Sequence, residues 1–192
     1  MIYNDPVGGA VPYQEFARAN LILVSHSHGD HFNATTLDAV RGTNALIIAP
    51  QAVYNSMSTT LRALTIVLAY GASTNAHGIN IEAVPAYNSY HSLGSGNGYV
   101  ITVGGRRLYM SGDTEDVAEM RALPNIDVAF LCINLPYTMD ILDAADAVRE
   151  FRPAVVYPYH YRNQNGTYCD LAQFKQMVGT DVGVEVRIRE WY

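Results

Sequence analysis

Short apolar runs recur along this chain, each closed by polar or turn-forming residues, and the pattern predicts alternating strands and helices. Ile2-Tyr3 reads as a strand stopped at Asp5-Pro6, after which Gly8, Gly9 and Pro12 mark a loop. Residues 13–20 suit a short helix before the buried strand 21–24, Leu-Ile-Leu-Val. Asn33 is placed to cap a helix over 35–40, with Gly42 as its stop. The strand 45–49 ends at Pro50, the first position of a helix over 51–57. Strands follow at 64–68 and 79–84, separated by a polar turn region at 71–78. His77 lies in that region between Asn75 and Gly78 and reads as a structural residue of the turn.

In the second half, the glycines at 94, 96 and 98 read as a flexible loop. They are no dinucleotide fingerprint, because residues 99–103 continue as strand instead of opening a helix. Gly104-Gly105 turns this strand into a hairpin with 107–110. Acidic residues open a helix over 115–123, which Pro124 ends. Residues 127–133 form a buried strand. Thr138 or Asp140 then caps a helix reaching Phe151, with Ile141, Leu142, Ala145 and Val148 on its inward stripe. A strand at 154–156, a helix at 170–178 and an edge strand at 184–188 complete the pattern.

With 192 residues, 49% of them hydrophobic, the chain can bury a full core as one domain spanning 1–192. Only 12 residues are Lys or Arg, the net charge is -6, and no basic cluster exceeds Arg106-Arg107, so no nucleic-acid partner is expected. Cys132 lies inside an apolar run and Cys169 in another segment, without a CxxC neighbour; free thiols are expected. No charged leader or long uninterrupted apolar stretch is present, so the expected setting is cytoplasmic, without a membrane partner.

The chemistry concentrates where the strand 21–24 ends, in Ser25-His26-Ser27-His28-Gly29-Asp30-His31, which holds three of the six histidines. On an extended backbone His26 and His28 point to one side, roughly 6.5 Å apart, so two imidazoles can converge on one ion. Asp30 and His31, beyond the turn at Gly29, are aimed elsewhere, most simply at a second ion. Carboxylate and imidazole together suit zinc, iron or manganese. Two later residues repeat the placement after an apolar strand: Asp113 in Ser-Gly-Asp-Thr, and His160.

The series His26-x-His28-x-Asp30-His31, His91, Asp113, His160 resembles the metallo-β-lactamase superfamily, in order and interval, over essentially the whole chain. Within it, Pro85-Ala86-Tyr87-Asn88, Gly112-Asp113-Thr114-Glu115 and Thr138-Met139-Asp140 look like the branch containing the ascorbate-6-phosphate lactonase. The resemblance implies an α/β fold, an αββα sandwich of two mixed sheets with helices on the outer faces. It also implies two divalent ions, Zn2+ first, with Mn2+ or Fe2+ as alternatives. His26, His28 and His91 would hold one ion, Asp30, His31 and His160 the other, with Asp113 bridging them. Relatives usually carry an N-terminal strand pair of which only the end is present here. An open sheet edge that could pair with a second copy of the chain is therefore expected.

Two such ions about 3.5 to 4 Å apart lower the pKa of a bridging water enough to supply hydroxide near neutral pH. The expected activity is therefore hydrolysis of a small ester, lactone or phosphoester, with Asp30 taking and returning a proton. Tyr90, Asn134, Tyr137 and Tyr161, near the ligand-bearing loops, are the substrate contacts to test, among 14 tyrosines that make any single one a weak signal. The competing readings are a phosphodiesterase acting on nucleic acid or a lipid headgroup, and a metal-binding or interaction protein without activity. A di-iron redox role lacks a flavin module to deliver electrons.

Overall fold

Alternation along the strands sorts their side chains between two faces. In β2 (Ala19–Leu23), Leu21 and Leu23 pack with Ile48 of β3 (Arg41–Ala49) and with Tyr99 and Ile101 of β7 (His91–Val103). Ile22 faces the other way, onto Leu37 of α1 (Ala34–Val40), Val53 of α2 (Gln51–Asn55) and Leu61 of α3 (Thr59–Arg62). A third apolar cluster joins Val100 of β7, Ala129 and Leu131 of β9 (Val128–Cys132) and Val156 of β10 (Val155–Tyr159) to Val148 of α5 (Ile141–Phe151) and Phe174 of α6 (Leu171–Val178). Three apolar interfaces separate four layers, helix on sheet on sheet on helix, the arrangement that buries both faces of each sheet.

The computed structural model describes residues 1–191. Among them, β1 (Ile2–Asn4), β2, β3 and β4 (Thr65–Val67) form a four-stranded sheet in that order. A second sheet has seven strands. It runs from β11 (Glu185–Val186) through β10, β9, β8 (Arg106–Met110), β7 and β6 (Ile79–Asn88) to β5 (Ser73–Ala76). The second sheet is mixed, antiparallel from β5 to β8 and parallel from β8 to β11. The first is parallel throughout, a departure from two mixed sheets, because each of its strands is followed by a crossover and none by a hairpin.

The caps follow local chemistry. Asn33 accepts from the Thr36 amide, Asp170 from Gln173, and Asp140 from Leu142 and Asp143, at 2.8–2.9 Å. Thr138, the other possible cap of α5, instead exchanges hydrogen bonds with the Asn134 backbone. Pro50 is the cap of α2 and not its first residue, and α2 stops at Asn55.

Several expected elements differ. Residues 13–20 contain no α-helix; a 3-10 turn occupies Val11–Tyr13, and the Tyr13 hydroxyl is engaged with the Val7 backbone. The polar region 71–78 contains β5, paired to β6 with His77 in the tight connection, where Asn75 accepts from the Gly78 amide. The helix over 115–123 shortens to α4 (Ala118–Arg121), because the Thr114 hydroxyl and the Glu115 side chain and amide are engaged with residues 87–89. The glycine-rich segment is part of β7, paired with β6 as Ala86↔Gly96 and Val84↔Gly98. A Cβ at Gly98 would stand 2.8 Å from the Ser111 carbonyl oxygen and 3.0 Å from that of Met110. Close strand contact, not loop freedom, accounts for that glycine.

Candidate metal centre

Parallel pairing of β1 with β2 ends one residue short of Asp5 and brings it beside Ser25, and much of the site is built from that juxtaposition. One Asp5 carboxylate oxygen accepts from the Ser25 amide at 2.7 Å. The other accepts from the Ser25 hydroxyl at 2.6 Å and meets His31 Nδ1 at 2.9 Å. A carboxylate on Nδ1 places the proton there and leaves Nε2 as a lone pair. The Ser25 oxygen, its own proton given to Asp5, accepts from His26 Nδ1 at 3.0 Å and selects the same tautomer for His26. Asp5 is a site residue that sequence reasoning treated only as a strand end. The available signal was an Asp closing a short apolar run before Pro6, but its relevance depends on a strand pairing across some 20 residues.

The freed nitrogens converge. His26 Nε2 lies 3.0 Å from His28 Nδ1, and the His91 ring stacks on His26 with centroids 4.8 Å apart. On the other side His31 Nε2 lies 3.1 Å from His160 Nε2, and an Asp30 oxygen is 3.6 and 3.5 Å from those two atoms. Asp113 Oδ1 is 3.4 Å from His31 Nε2 and 3.8 Å from His160 Nε2. Donor atoms within 4.8 Å of one another form three groups: His26, His28 and His91; Asp30, His31 and His160; and His26, His31 and Asp113. The last group joins the other two. All seven residues expected as ligands are thus brought to one place.

These donors fit divalent ions by a property of this structure. Both His91 ring nitrogens and Asp113 Oδ1 are buried without a hydrogen-bond partner, in a fold whose buried polar atoms are otherwise mostly paired. Pairs of imidazole nitrogens face each other at contact distance. A borderline cation with nitrogen and oxygen ligands satisfies all of these atoms at once.

The backbone holds this geometry under strain. Asp5 and His160 both have left-handed conformations, with φ of 46° and 51°, each costing on the order of 1–2 kcal/mol for a residue with a Cβ. Gly112, also left-handed with φ of 61°, lets Asp113 approach: a Cβ there would lie 2.9 Å from the Asn97 carbonyl oxygen and 3.1 Å from Ser25 Cβ. The Asn97 amide in turn bonds the Ser25 carbonyl, locking β7 to the histidine loop.

The electrostatics favour positive charge between the donors. Burial lowers the His26 pKa to about 3, with the neighbouring histidines adding to the effect, so it is a neutral donor; burial also lowers His91. Burial works against a charge on His31, yet the flanking Asp113 and Asp5 carboxylates raise it well above the ordinary value. Burial likewise opposes ionisation of Asp113, but the surrounding imidazoles, His31 first, hold it at about 2. The His160 imidazole keeps Asp30 far below the usual carboxylate range. Two ionised carboxylates and a proton-attracting histidine are the field a metal cation would replace a proton in.

The four expected substrate contacts separate. Tyr90 and Tyr137 pack ring against ring, centroids 4.9 Å apart. They line a cavity of about 370 Å³ with Asn88, Asn134 and the candidate ligand side chains His28, Asp30, His91, Asp113 and His160. Asn134 is buried, and its amide meets His160 Nδ1 at 2.8 Å while its Oδ1 has no partner. A half-turn of the amide lets Oδ1 accept the Nδ1 proton and leaves His160 Nε2 free, so Asn134 orients a candidate ligand. Tyr161 stands apart from the other three. It does not line the cavity; its hydroxyl bonds the Arg189 carbonyl and the Trp191 amide, and its ring is buried in the core with α6. Cys132 is buried, Cys169 is half-buried, and both are free thiols.

With this geometry in view, comparison with known proteins is direct. Residues 1–160 match the β-lactamase superfamily domain, ending at His160. A UPF0173 metal-dependent hydrolase of Pyrococcus abyssi is 32% identical over 95% of this chain and 84% of its own length, and one of Thermococcus kodakarensis is 35% identical over 90% and 80%. The crystal structure of a proposed metal-dependent hydrolase from Parabacteroides distasonis superposes with a TM-score of 0.86 at 38% identity, covering 100% of this chain and 85% of that one. A metallo hydrolase of Ignicoccus hospitalis gives 0.79 at 29%, covering 97% and 83%. The chain belongs to the metallo-β-lactamase superfamily and, within it, to the UPF0173 metal-dependent hydrolases.

Proposed function

We propose that this hydrolase works with two divalent ions, one held by His26, His28 and His91, the other by Asp30, His31 and His160, with Asp113 shared. The single observation that carries this reading is Asp113 Oδ1, buried without a hydrogen bond and grouped with donors of both triads. Two such ions supply an activated water and polarise the oxygen of the scissile bond. The bond is that of a small ester, lactone or phosphoester.

The chain's own residues do the rest. Asp5 and Asn134, through His31 and His160, hold two imidazoles in the tautomer that binds, so no reorganisation is needed when substrate arrives. Asp30 has a side chain 64% exposed at the cavity mouth and points one oxygen at the His31–His160 pair. Its carboxylate would accept the proton of the attacking water and return it to the leaving oxygen. The cavity of about 370 Å³ limits the bound group to a small molecule.

Elemental analysis of the purified protein, with turnover of ester, lactone and phosphodiester substrates before and after chelation, tests the reading. Two metals per chain and chelation-sensitive turnover are expected. His28→Ala should abolish turnover while leaving the fold intact, because His28 is exposed and fills no core volume. Equal slow turnover by wild type and His28→Ala after metal loading would refute the catalytic claim.

A further inference from the structure

We infer that the part of the substrate lying outside the metal centre is an uncharged ring, carried on a carboxylic ester or lactone, and that Tyr90 and Tyr137 select it. The inference rests on the hydrolase reading above and specifies its substrate class. Its starting point is what lines the cavity. Beyond the ligand side chains, the described lining residues are Asn88, Tyr90, Asn134 and Tyr137, and no Lys or Arg is among them. Many of the chain's cations are engaged in ion pairs elsewhere: Arg121 with Asp116, Asp146 and Glu150, Arg149 with Asp181, Arg187 with Glu185, and Arg107 with Glu82. Recognition of a phosphate or carboxylate handle uses Arg or Lys for its charge and directed donors. A handle of that kind would meet phenol hydroxyls here and pass the exposed Asp30 carboxylate at the mouth. A phosphate-tailed lactone is therefore a poor match to this chain.

The aromatic side is equally specific. Tyr90 is 54% exposed although its ring packs on Tyr137. Each segment this contact joins carries a further exposed apolar residue, Leu93 near the start of β7 at 49% and Leu135 after β9 at 47%. Tyr90 follows β6 in the turn that leads to the ligand His91, and Tyr137 follows β9 three residues after Asn134, which orients His160. Both tyrosines line the same cavity as the triads, so an ester whose alcohol ring lies on this pair can present its acyl carbon to them. Hydrolysis adds the water oxygen to that carbon, breaks its bond to the alcohol oxygen, and gives that oxygen the water's proton, so nothing else is consumed.

The test uses metal-loaded protein and three esters, each rate normalised to its hydroxide-catalysed rate: phenyl butyrate, ethyl butyrate, and phenyl butyrate bearing a para-carboxylate. Phenyl butyrate is expected to have the highest kcat/KM, and Tyr90→Ala or Tyr137→Ala to cut its preference over ethyl butyrate by about tenfold, through KM more than kcat, as expected for a lost aromatic contact. Tyr90→Arg should raise relative turnover of the carboxylate ester by supplying the missing cation. Saturation-transfer NMR with phenylacetamide reads binding without turnover: its ring protons should be saturated by the wild type and lose that signal in either alanine variant. Equal or faster wild-type turnover of the carboxylate ester, or an aryl preference indifferent to both alanine variants, would overturn the inference with the hydrolase reading intact. No turnover of any ester, with the NMR signal present and tyrosine-dependent, would overturn the carboxylic-ester part of the inference and leave ring recognition standing; loss of phosphodiester turnover as well would count against the hydrolase reading. Absence of the NMR signal in the wild type would overturn ring recognition itself.

Discussion

Replacing Asp5 by asparagine keeps size and shape while removing one acceptor. In the wild type its two oxygens take three bonds, from the Ser25 amide, the Ser25 hydroxyl and His31 Nδ1, at 2.7, 2.6 and 2.9 Å. An asparagine must turn its NH2 either toward the Ser25 amide, which cannot reverse, or toward His31 Nδ1. The first choice leaves buried donors opposed, at a cost of about 1–3 kcal/mol in stability. The second is relieved only if His31 moves its proton to Nε2, the atom facing Asp30, Asp113 and His160. That tautomer cannot bind a cation. Loss of such an orienting partner costs about 10–100-fold in metal affinity, or about 1.4–2.7 kcal/mol. The effect should be larger on the ion held by His31, because Asp5 touches that ring directly and reaches His26 only through the Ser25 hydroxyl. Titration of metal-free Asp5→Asn with Zn2+ against a chromophoric chelator should show two unequally weakened affinities, one by the full factor of about 10–100 and the other by less, with the metal-free melting temperature recorded alongside. Two wild-type affinities in a variant of unchanged stability would refute the assignment of Asp5 as the residue that sets the His31 tautomer.

Three further outcomes are expected. Gly98→Ala, which would press a Cβ to 2.8 Å from the Ser111 carbonyl oxygen, should destabilise by about 1–3 kcal/mol and lower Tm by about 2–4 °C per kcal/mol in calorimetry; an unchanged Tm would show that β7 and β8 can part without cost. Burial raises the Cys132 thiol to about 12, so iodoacetamide at pH 8 should label it only after denaturation, as read by mass spectrometry; rapid labelling of the folded chain would contradict its burial. The Arg149 guanidinium holds the Asp181 carboxyl down to about 2, so its contribution to stability is present above the ordinary value near 4 and is lost as pH falls from about 4 to 2. The melting-temperature difference between wild type and Asp181→Asn should shrink over that range, and a constant difference would argue against the pair.

The candidate metal donors were legible in the chain because a cluster of such residues is a local feature. His26, His28, Asp30 and His31 sit within six residues after an apolar strand, and Asp113 and His160 stand at the ends of others. The strong strands 21–24 and 127–133 were equally plain, since burial on both faces demands an unbroken apolar run. Residues whose role is to hold a ligand leave no such trace. Asp5 looks like a strand terminator until β1 pairs beside β2, and Asn134 looks like a polar loop residue until β9 and β10 run side by side and His160 turns onto it. The glycines at 96 and 98 read as freedom in sequence and as close approach in space, because a missing Cβ looks the same in both cases until neighbours are present. Tyr161 shows the converse, standing next to a ligand in the chain while its hydroxyl is committed to the segment at Arg189 and Trp191. Residue chemistry and strand periodicity are properties of a few consecutive positions, and they were enough to name the candidate ligands. Tautomer, burial and the charge lining of the cavity depend on atoms brought together from distant parts of the chain, and folding alone assembles them.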